Sequence, residues 1–212
     1  MSAVRGKFIS LEGGEGAGKS TLLAGLRECI EQHGIALVQT REPGGTRVGE
    51  AVRAIVLDPE RRELAAETEL LLMFASRAQL VREVIEPALH AGQWVLCDRF
   101  ADASYAYQGG GRGQPESRIA ELEQWACAGV KPDLTLLLDL SVATGRARAA
   151  GRGDADRIEV EADSFFERVR TTYRERAAAE PARFRMIDAS QSPAAVLKAA
   201  LAALAHLFEA TA

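Results

Sequence analysis

The chain is poor in cysteine and aromatic residues and has no surplus of positive charge. Its 212 residues include three cysteines, Cys29, Cys97 and Cys127, which are far apart and form no C-x-x-C pair. This number and spacing indicate neither a disulfide framework nor a zinc site. The formal net charge of -4 argues against nucleic acid or an anionic membrane surface as the main partner. Local arginine clusters can still bind a small anion.

Long apolar runs are also lacking. No apolar run approaches the length of a membrane span, and the first residues lead into a strand pattern without an apolar signal core. We therefore expect a cytoplasmic protein. At 47% hydrophobic and 26% charged residues, the composition is typical of a globular chain. A length of 212 residues suits one domain over residues 1–212 better than two.

The most informative segment is GGEGAGKS at residues 13–20, which matches the phosphate-binding pattern G-x-x-x-x-G-K-[ST]. Glycines let backbone N–H groups curl around phosphate oxygens, Lys19 adds a positive charge, and the Ser20 hydroxyl can ligate a phosphate-bound Mg²⁺. A strand pattern precedes the segment and a helical pattern follows, so a helix N-terminus would face the phosphates. The candidate ATP-binding residues are Gly13, Gly14, Glu15, Gly16, Ala17, Gly18, Lys19, Ser20 and Thr21.

Short apolar runs alternate with helical patterns along the whole chain. Candidate strands lie at residues 7–11, 35–40, 94–97, 134–138 and 185–187. Their continuously apolar character is typical of strands buried on both faces. The alternation predicts an α/β fold in which a five-stranded parallel sheet carries helices on both sides. Ligands of such folds lie beyond the carboxyl ends of the strands, so the segments after each strand are the candidate site.

Two of these segments carry residues suited to binding phosphate and metal. After the second strand, residues 40–46 read TREPGGT. This segment is either a solvated turn or a functional one, in which Arg41 and Glu42 precede the rigid Pro43 at the mouth of the site, with Arg53 in the next helix. The third strand ends in Asp98 and Arg99, which suggest a metal-side and a phosphate-side contact respectively. An ion pair between them is disfavoured, because neighbours on an extended strand point opposite ways.

Other segments leave two interpretations open. In the long helical pattern over residues 65–91, Arg77 shares a side with Met73 and Phe74. The arginine could hydrogen-bond and stack on a planar base, or it could be a snorkelling side chain beside a core ring. The charged, glycine-rich stretch near residues 150–159 carries Arg152 and Arg157. It is either a solvated charge run or a flap whose arginines neutralise a transferring phosphoryl group on closure.

Taken together, these motifs resemble those of the thymidylate kinase family over essentially the full length. The matching segments are GGEGAGKS, TREPGGT, DRF at residues 98–100, YAYQGGGRG at residues 105–113 and DRIE at residues 156–159. The resemblance implies a P-loop NTPase-type, three-layer fold of the nucleoside monophosphate kinase kind, with a lid at about residues 150–159. It also implies a homodimer that phosphorylates dTMP to dTDP with ATP and Mg²⁺, within dTTP biosynthesis.

The resemblance further implies roles on the acceptor side. Glu15 matches an acid near the sugar 3'-hydroxyl, while Arg53 and Arg99 match residues that hold the dTMP phosphate. We place Glu42 and Pro43 in the same substrate site.

Contacts with the thymine and the sugar 2' position follow from the same resemblance. Arg77, Ser104 and Gln108 match positions at the thymine edge, and Tyr107 matches a ring that disfavours ribonucleotides. The family usually has a base-stacking phenylalanine four residues before the arginine. Here that position is Met73, with Phe74 one residue later, so either side chain could meet the thymine.

For catalysis, Gly16 stands where one class of the family has an arginine. The chain thus resembles the class that supplies arginines from the lid, here Arg152 and Arg157, in addition to Lys19 and Arg99. Ser20 and Asp98 are the candidate Mg²⁺ residues. Three other hypotheses are a kinase for a different nucleoside monophosphate or deoxynucleoside, a regulatory nucleotide switch, and a catalytically silent phosphate-loop scaffold, which the intact Lys19-Ser20 and Asp98-Arg99 pairs disfavour. The second lacks the expected N-K-x-D motif.

Overall fold

The computed structural model describes residues 5–150 and 155–209, and within them the strands form one five-stranded parallel sheet. The strands are β1 (Phe8–Gly13), β2 (Leu37–Arg41), β3 (Trp94–Asp98), β4 (Leu134–Asp139) and β5 (Phe184–Asp188). Their order across the sheet is β2-β3-β1-β4-β5. The α/β prediction is therefore confirmed, and the phosphate-loop strand β1 lies at the centre.

Helices connect the strands on both sides of the sheet. They are α1 (Lys19–Gln32), α2 (Arg47–Leu57), α3 (Ala66–Leu80), α4 (Glu86–His90), α5 (Ala101–Ser104), α6 (Glu116–Cys127), α7 (Val142–Ala149), α8 (Asp163–Ala179) and α9 (Pro193–Glu209). Two π-helical segments interrupt them, one at Val81–Ile85 between α3 and α4 and one at Tyr105–Gly111 after α5. The second contains residues predicted for the substrate site, and π segments are frequent at functional sites.

The core consists of two apolar layers, one on each face of the sheet. On one face, Ile9 and Leu11 of β1 pack with buried leucines and isoleucines of α1 and α9. On the other face, Phe8 and Val95 pack against Leu80 and the π segment that follows it. Because alternate residues of β1 enter opposite layers, every residue of that strand is buried. The central strand thus holds the phosphate loop rigidly.

The expectation that all strands are buried on both faces is wrong for β2 and β5. None of the β2 residues is fully buried, and Arg185 and Met186 of β5 are exposed. Both are edge strands, and each therefore has a sheet neighbour on one side alone. The apolar run in the sequence does not distinguish such a strand from a central one.

A buried charge network ties the centre of the sheet to α5 and α8. Asp102 of α5 accepts hydrogen bonds from Arg176 of α8 and from Arg183 just before β5. Arg183 also donates to Thr135 of β4, which shares a hydrogen bond with Ser10 of β1. Burial acts against ionisation of Asp102, but the two arginines outweigh it and lower the pKa of its carboxyl. The network holds α8 behind the site.

We predict that Asp102→Ala lowers the free energy of unfolding by about 3–5 kcal/mol, because it leaves two largely buried arginines without their counter-charge. Urea unfolding followed by circular dichroism measures the loss. Glu31→Ala is a matched control, since Glu31 forms an exposed pair with Arg27 on α1 worth at most about 1 kcal/mol. An Asp102→Ala cost no larger than that of the control would contradict this role.

Candidate functional site

The loop between β1 and α1 has the geometry of a phosphate cradle. Gly13, Gly16 and Gly18 adopt positive φ angles of 136°, 69° and 92°, a region that L side chains rarely adopt. Helix α1 begins at Lys19, so its first N–H groups have no intrahelical acceptor and face the loop. The Lys19 ammonium donates to the carbonyl oxygens of Gly13 at 3.1 Å and Gly14 at 3.0 Å. It thus lies folded against the loop.

The surroundings of Lys19 favour an anionic ligand. Burial is the main cause that lowers the pKa of its ammonium, and the nearby Arg99 charge acts in the same direction. Glu15 and Asp98 oppose this effect. A phosphate group beside Lys19 would add negative charge and further stabilise the ammonium form.

The loop is in direct backbone contact with α7 through a pair of glycines. A Cβ atom at Gly16 would lie 2.0 Å from the carbonyl oxygen of Gly145, and one at Gly145 would lie 2.3 Å from that of Glu15. Neither position has room for a side chain. An arginine at the Gly16 position would therefore be incompatible with this packing. Sequence reasoning missed Gly145, which looks like an ordinary residue of a helical pattern.

A cavity of about 590 Å³ opens beside the loop at the carboxyl edge of the sheet. Its wall combines the phosphate loop with side chains from the segments that follow β2 and β3, from α2 and α3, and from the second π segment. The predicted site residues that line it are Glu15, Gly16, Ala17, Gly18, Lys19, Ser20, Thr21, Glu42, Pro43, Arg53, Met73, Asp98, Arg99, Tyr107 and Gln108. The fold thus brings together residues that are up to 93 positions apart, from Glu15 to Gln108.

Some predicted residues lie elsewhere. Gly13 and Gly14 line a smaller neighbouring cavity behind the loop. Arg152 falls outside the residues that the structure describes. Within the described residues, the wall of the large cavity does not include Phe74, Arg77, Ser104 or Arg157.

Arg99 connects the two halves of the cavity. It follows β3 with a φ of 70°, which is unusual for a residue with a long side chain and turns the chain toward the phosphate loop. Its guanidinium donates to Glu15 at 2.7 Å, to the carbonyl oxygen of Gly13 at 3.0 Å, and to the hydroxyls of Tyr107 and Tyr173. Burial acts against its charge, yet the neighbouring tyrosines and acids raise the pKa of Arg99. It therefore stays cationic.

Two buried groups stabilise the turn at Arg99. The Cys97 thiol donates to the carbonyl oxygen of Arg99 at 2.9 Å, and burial raises the pKa of Cys97, which keeps the thiol protonated. On the other side, the Glu12 carboxyl accepts from the Phe100 N–H and the Tyr173 hydroxyl, both at 2.7 Å. These contacts give Cys97 and Glu12 a positioning role that sequence reasoning missed, because each reads as part of a buried strand.

Asp98 and Ser20 fit a magnesium ion. The Asp98 Oδ1 atom is buried and has no hydrogen-bond partner among residues 5–150 and 155–209. Carboxylate and hydroxyl oxygens suit Mg²⁺, which is usually held by one or two protein ligands together with phosphate and water. The described part of the chain contains no cluster of three or more His, Cys, Asp or Glu residues arranged for a metal.

The resemblance implies that Arg77 contacts the thymine edge, but its side chain is not part of the cavity wall. Its side chain is completely buried and donates to Glu42 at 2.8 Å, to Ser104 at 3.0 Å and to the carbonyl oxygen of Phe100 at 3.1 Å. The guanidinium lies 4.4 Å from the centre of the Phe74 ring. The snorkelling interpretation also fails, because the charge does not reach solvent and is compensated inside the protein by Glu42. Ser104 is occupied by the same contact.

Met73 and Phe74 separate into different environments. Met73 lines the cavity, whereas Phe74 packs with Leu70, Tyr105 and Ile119 in a separate apolar cluster. Consecutive helical residues point about 100° apart, so one of the two must turn away from the site. Of the two side chains, Met73 is therefore the one that lines the cavity.

Arg157 also turns away from the cavity. Its guanidinium donates to the carbonyl oxygen of Val56 at 2.8 Å and forms an ion pair with the buried Glu69 of α3. The neighbouring residues Asp156, Ile158 and Glu159 line the cavity instead. Sequence reasoning missed Glu69, because an acid in the first turn of a helix is already explained by its favourable interaction with the helix dipole.

Three features define a P-loop enzyme of the nucleoside monophosphate kinase type. They are the order of the strands, the phosphate cradle after the central strand β1, and Asp98 and Arg99 at the end of the adjacent strand β3. A sequence model described as thymidylate kinase matches residues 11–200. The chain therefore belongs to the thymidylate kinase family and, like its curated relatives of that name, is an enzyme.

Individual relatives agree over most of the chain. It is 56% identical to a thymidylate kinase of Alkalilimnicola ehrlichii over 202 residues, which cover 95% of this chain and 93% of that protein. It is likewise 56% identical to one of Pseudomonas syringae, covering 90% of this chain and 91% of the relative. A crystal structure of thymidylate kinase from Ehrlichia chaffeensis superposes with a TM-score of 0.72 at 32% identity, covering 86% and 93% of the two chains. Within residues 5–150 and 155–209, no helix has the length and apolar character needed to cross a membrane.

The buried Glu12 generates a pH prediction. Burial, with a contribution from Asp102, raises the pKa of its carboxyl from 4.5 to about 8, so the folded state keeps a proton that the unfolded chain loses. This contribution to stability is complete below pH 4.5 and is lost as the pH rises toward 8. Glu12→Gln resembles the protonated acid, since its amide oxygen can accept from the Phe100 N–H and its NH₂ group can donate to the Tyr173 hydroxyl. We predict that it makes the decline of the unfolding free energy across this window shallower. Denaturation at several pH values measures it, and equal slopes in both proteins would contradict it.

Proposed function

We propose that this enzyme transfers the γ-phosphoryl group of ATP to dTMP, giving dTDP on the route to dTTP, with Mg²⁺ as cofactor. We also propose that it does so as a single domain, in the cytoplasm. The observation that carries the proposal is the shared cavity. Its wall has the phosphate cradle on one side and Arg99, Tyr107 and Gln108 on the other. Such a site suits a reaction between two bound anions.

On the donor side, the loop N–H groups and Lys19 would bind the β- and γ-phosphates of ATP. The Lys19 ammonium now donates to two loop carbonyls, and phosphate oxygens would replace these acceptors. Ser20 and Asp98 would hold Mg²⁺, which when bound neutralises charge on the phosphates. The unpartnered Oδ1 atom of Asp98 supports this assignment.

On the acceptor side, Arg99 and Arg53 would bind the dTMP phosphate. A phosphate monoester has a second pKa of about 6, so at neutral pH it is largely dianionic and already nucleophilic. The reaction therefore needs no general base. It needs positive charge and alignment, because two anions must approach in line. Arg53 lines the cavity, and burial is the main cause that lowers the pKa of its guanidinium, so an anion there would stabilise its charge.

The sugar would lie between Glu15 and Tyr107. The Tyr107 hydroxyl donates to Glu15 at 3.1 Å and accepts from Arg99 at 2.9 Å, so the ring is held against the cavity wall. This supports the assignment of Glu15 to the 3'-hydroxyl and of the Tyr107 ring to exclusion of a 2'-hydroxyl.

Arg152 and Arg157 remain the proposed lid arginines, although Arg157 would have to leave Glu69 to reach the transferring group. Lid closure would exclude water as a competing acceptor.

A coupled assay of ADP release tests the proposed reaction with dTMP, dUMP, dCMP and no acceptor. We expect rapid release with dTMP and slower release with dUMP, because a single methyl group separates the two bases and is worth about 1–3 kcal/mol. Release without acceptor should be negligible. Lys19→Ala is the control for the cradle and should lower kcat by about 100-fold or more. Acceptance of another nucleotide in preference to dTMP would overturn the proposal.

We also propose that the enzyme is a homodimer that pairs through α3 and α6. Trp125 of α6 and Leu71 of α3 are 82% and 57% exposed and belong to one apolar groove between the two helices. Large apolar side chains grouped in this way are typical of protein interfaces. The resemblance to thymidylate kinases implied a homodimer, and this supports a second copy of the chain as the partner.

For the dimer, we predict that Trp125→Glu produces monomers, because a carboxylate cannot be buried in an apolar interface without a partner. Light scattering coupled to gel filtration gives the mass. Met186→Glu is the matched control, since Met186 is exposed on the edge strand β5 and should leave the dimer intact. A dimer that survives Trp125→Glu would place the interface elsewhere.

A further inference from the structure

Glu69 is a buried carboxylate that contacts three functional segments at once. It lies near the start of α3 and is 1% exposed. Its Oε1 atom accepts from the Gln108 side-chain amide at 2.8 Å, and its Oε2 atom accepts from Arg157. Arg112, after the second π segment, donates to the same carboxylate at 3.3 Å. Glu69 therefore links the candidate base-reading residue to the lid.

This contact determines which way the Gln108 amide points. A carboxylate paired with two arginines can accept hydrogen bonds but cannot donate them. The Gln108 nitrogen must therefore face Glu69, which leaves the oxygen Oε1 on the other side. That oxygen is buried and has no hydrogen-bond partner within the described residues, and Gln108 belongs to the cavity wall.

An unpartnered acceptor in this position selects for a base with a donor. Thymine and uracil carry an N3–H group on the base-pairing edge, whereas the N3 of cytosine is an acceptor. A buried Oε1 would bond the first and be left unpaired opposite the second, at the cost of a desolvated polar atom. We propose that Glu69 is a specificity-determining positioning residue, which fixes the Gln108 amide so that the site takes N3–H pyrimidine nucleotides. This inference rests on the proposed function.

The same geometry predicts the effect of replacing Glu69 by glutamine. Arg112 and Arg157 can only donate, so they would take the amide oxygen of the new side chain. Its NH₂ group would then face Gln108 and turn the Gln108 amide around. The cavity would receive an N–H donor in place of an acceptor, which suits N3 of cytosine.

The experiment measures kcat/KM for dTMP and for dCMP in the full chain. We expect Glu69→Gln to lower the ratio of dTMP to dCMP by about 100-fold, the size expected when a buried hydrogen bond is replaced by a mismatch. Glu67→Gln is the matched control. It removes an exposed charge from the same turn of α3, where Glu67 contacts Gln114, and should leave the ratio unchanged.

A double-mutant cycle separates this role from a merely structural one. In a Gln108→Leu background the amide is absent, so Glu69→Gln should change the ratio by less than about twofold. Loss of lid or fold integrity would instead lower kcat/KM for both nucleotides equally and leave the ratio constant, and that result would overturn the proposal. If Glu69→Gln does not fold, Glu69→Asp, which withdraws the carboxylate from Gln108, should lower the ratio in the same direction.

The outcomes also separate this inference from the proposed function. If the wild-type enzyme phosphorylates dTMP and the Glu69→Gln ratio is unchanged, the positioning role fails while the function stands. If the wild-type enzyme does not use dTMP, the function itself fails.

Discussion

The hydrogen bonds of Arg99 are the constraint on which the site depends. One guanidinium bonds Glu15 and Gly13 of the phosphate loop and the hydroxyl of Tyr107 on the opposite wall. Because a charged group with several partners in a low-dielectric site has one favourable geometry, this contact fixes the distance between the donor and acceptor halves. The left-handed turn at Arg99 is the backbone cost of that arrangement.

Buried acids hold this arrangement from behind. Glu12 stabilises the turn after β3, Asp102 ties α8 to the sheet, and Glu42 compensates Arg77. Glu69 compensates the charge of Arg157 and accepts a hydrogen bond from the Gln108 amide. An unpaired buried charge is strongly destabilising, so Asp102, Glu42 and Glu69 and their arginine partners position one another. Glu12 acts as a protonated hydrogen-bond partner instead. The catalytic surface is thus supported by ion pairs in which Glu42 lines the cavity, whereas the arginines Arg77 and Arg157 do not.

Much of the fold could be predicted because its signals are local. The glycine-rich loop needs positive φ angles, and its strand and helix follow from adjacent apolar patterns. The segments after β2 and β3 were also predicted correctly as neighbours, since parallel strands end at one edge. The burial of β2 and β5 was predicted wrongly, because it depends on the order of strands in the sheet, which is a long-range property. Met73 and Phe74 show the same limit, since spacing places both on one side of α3 and the packing separates them.

The sequence by itself determined the phosphate loop and the parallel sheet, because these depend on backbone conformation and short-range periodicity. Side chains such as Tyr107 and Gln108 were assigned to the site from the family resemblance, and both line the cavity. Only the tertiary structure decided which arginines face the cavity. Arg77 and Arg157 lie in motifs that read as ligand-binding, yet each is neutralised by an acid from a distant segment, Glu42 and Glu69 respectively. The physical reason is that a charge points toward its counter-charge, and the counter-charge is known once the chain has folded.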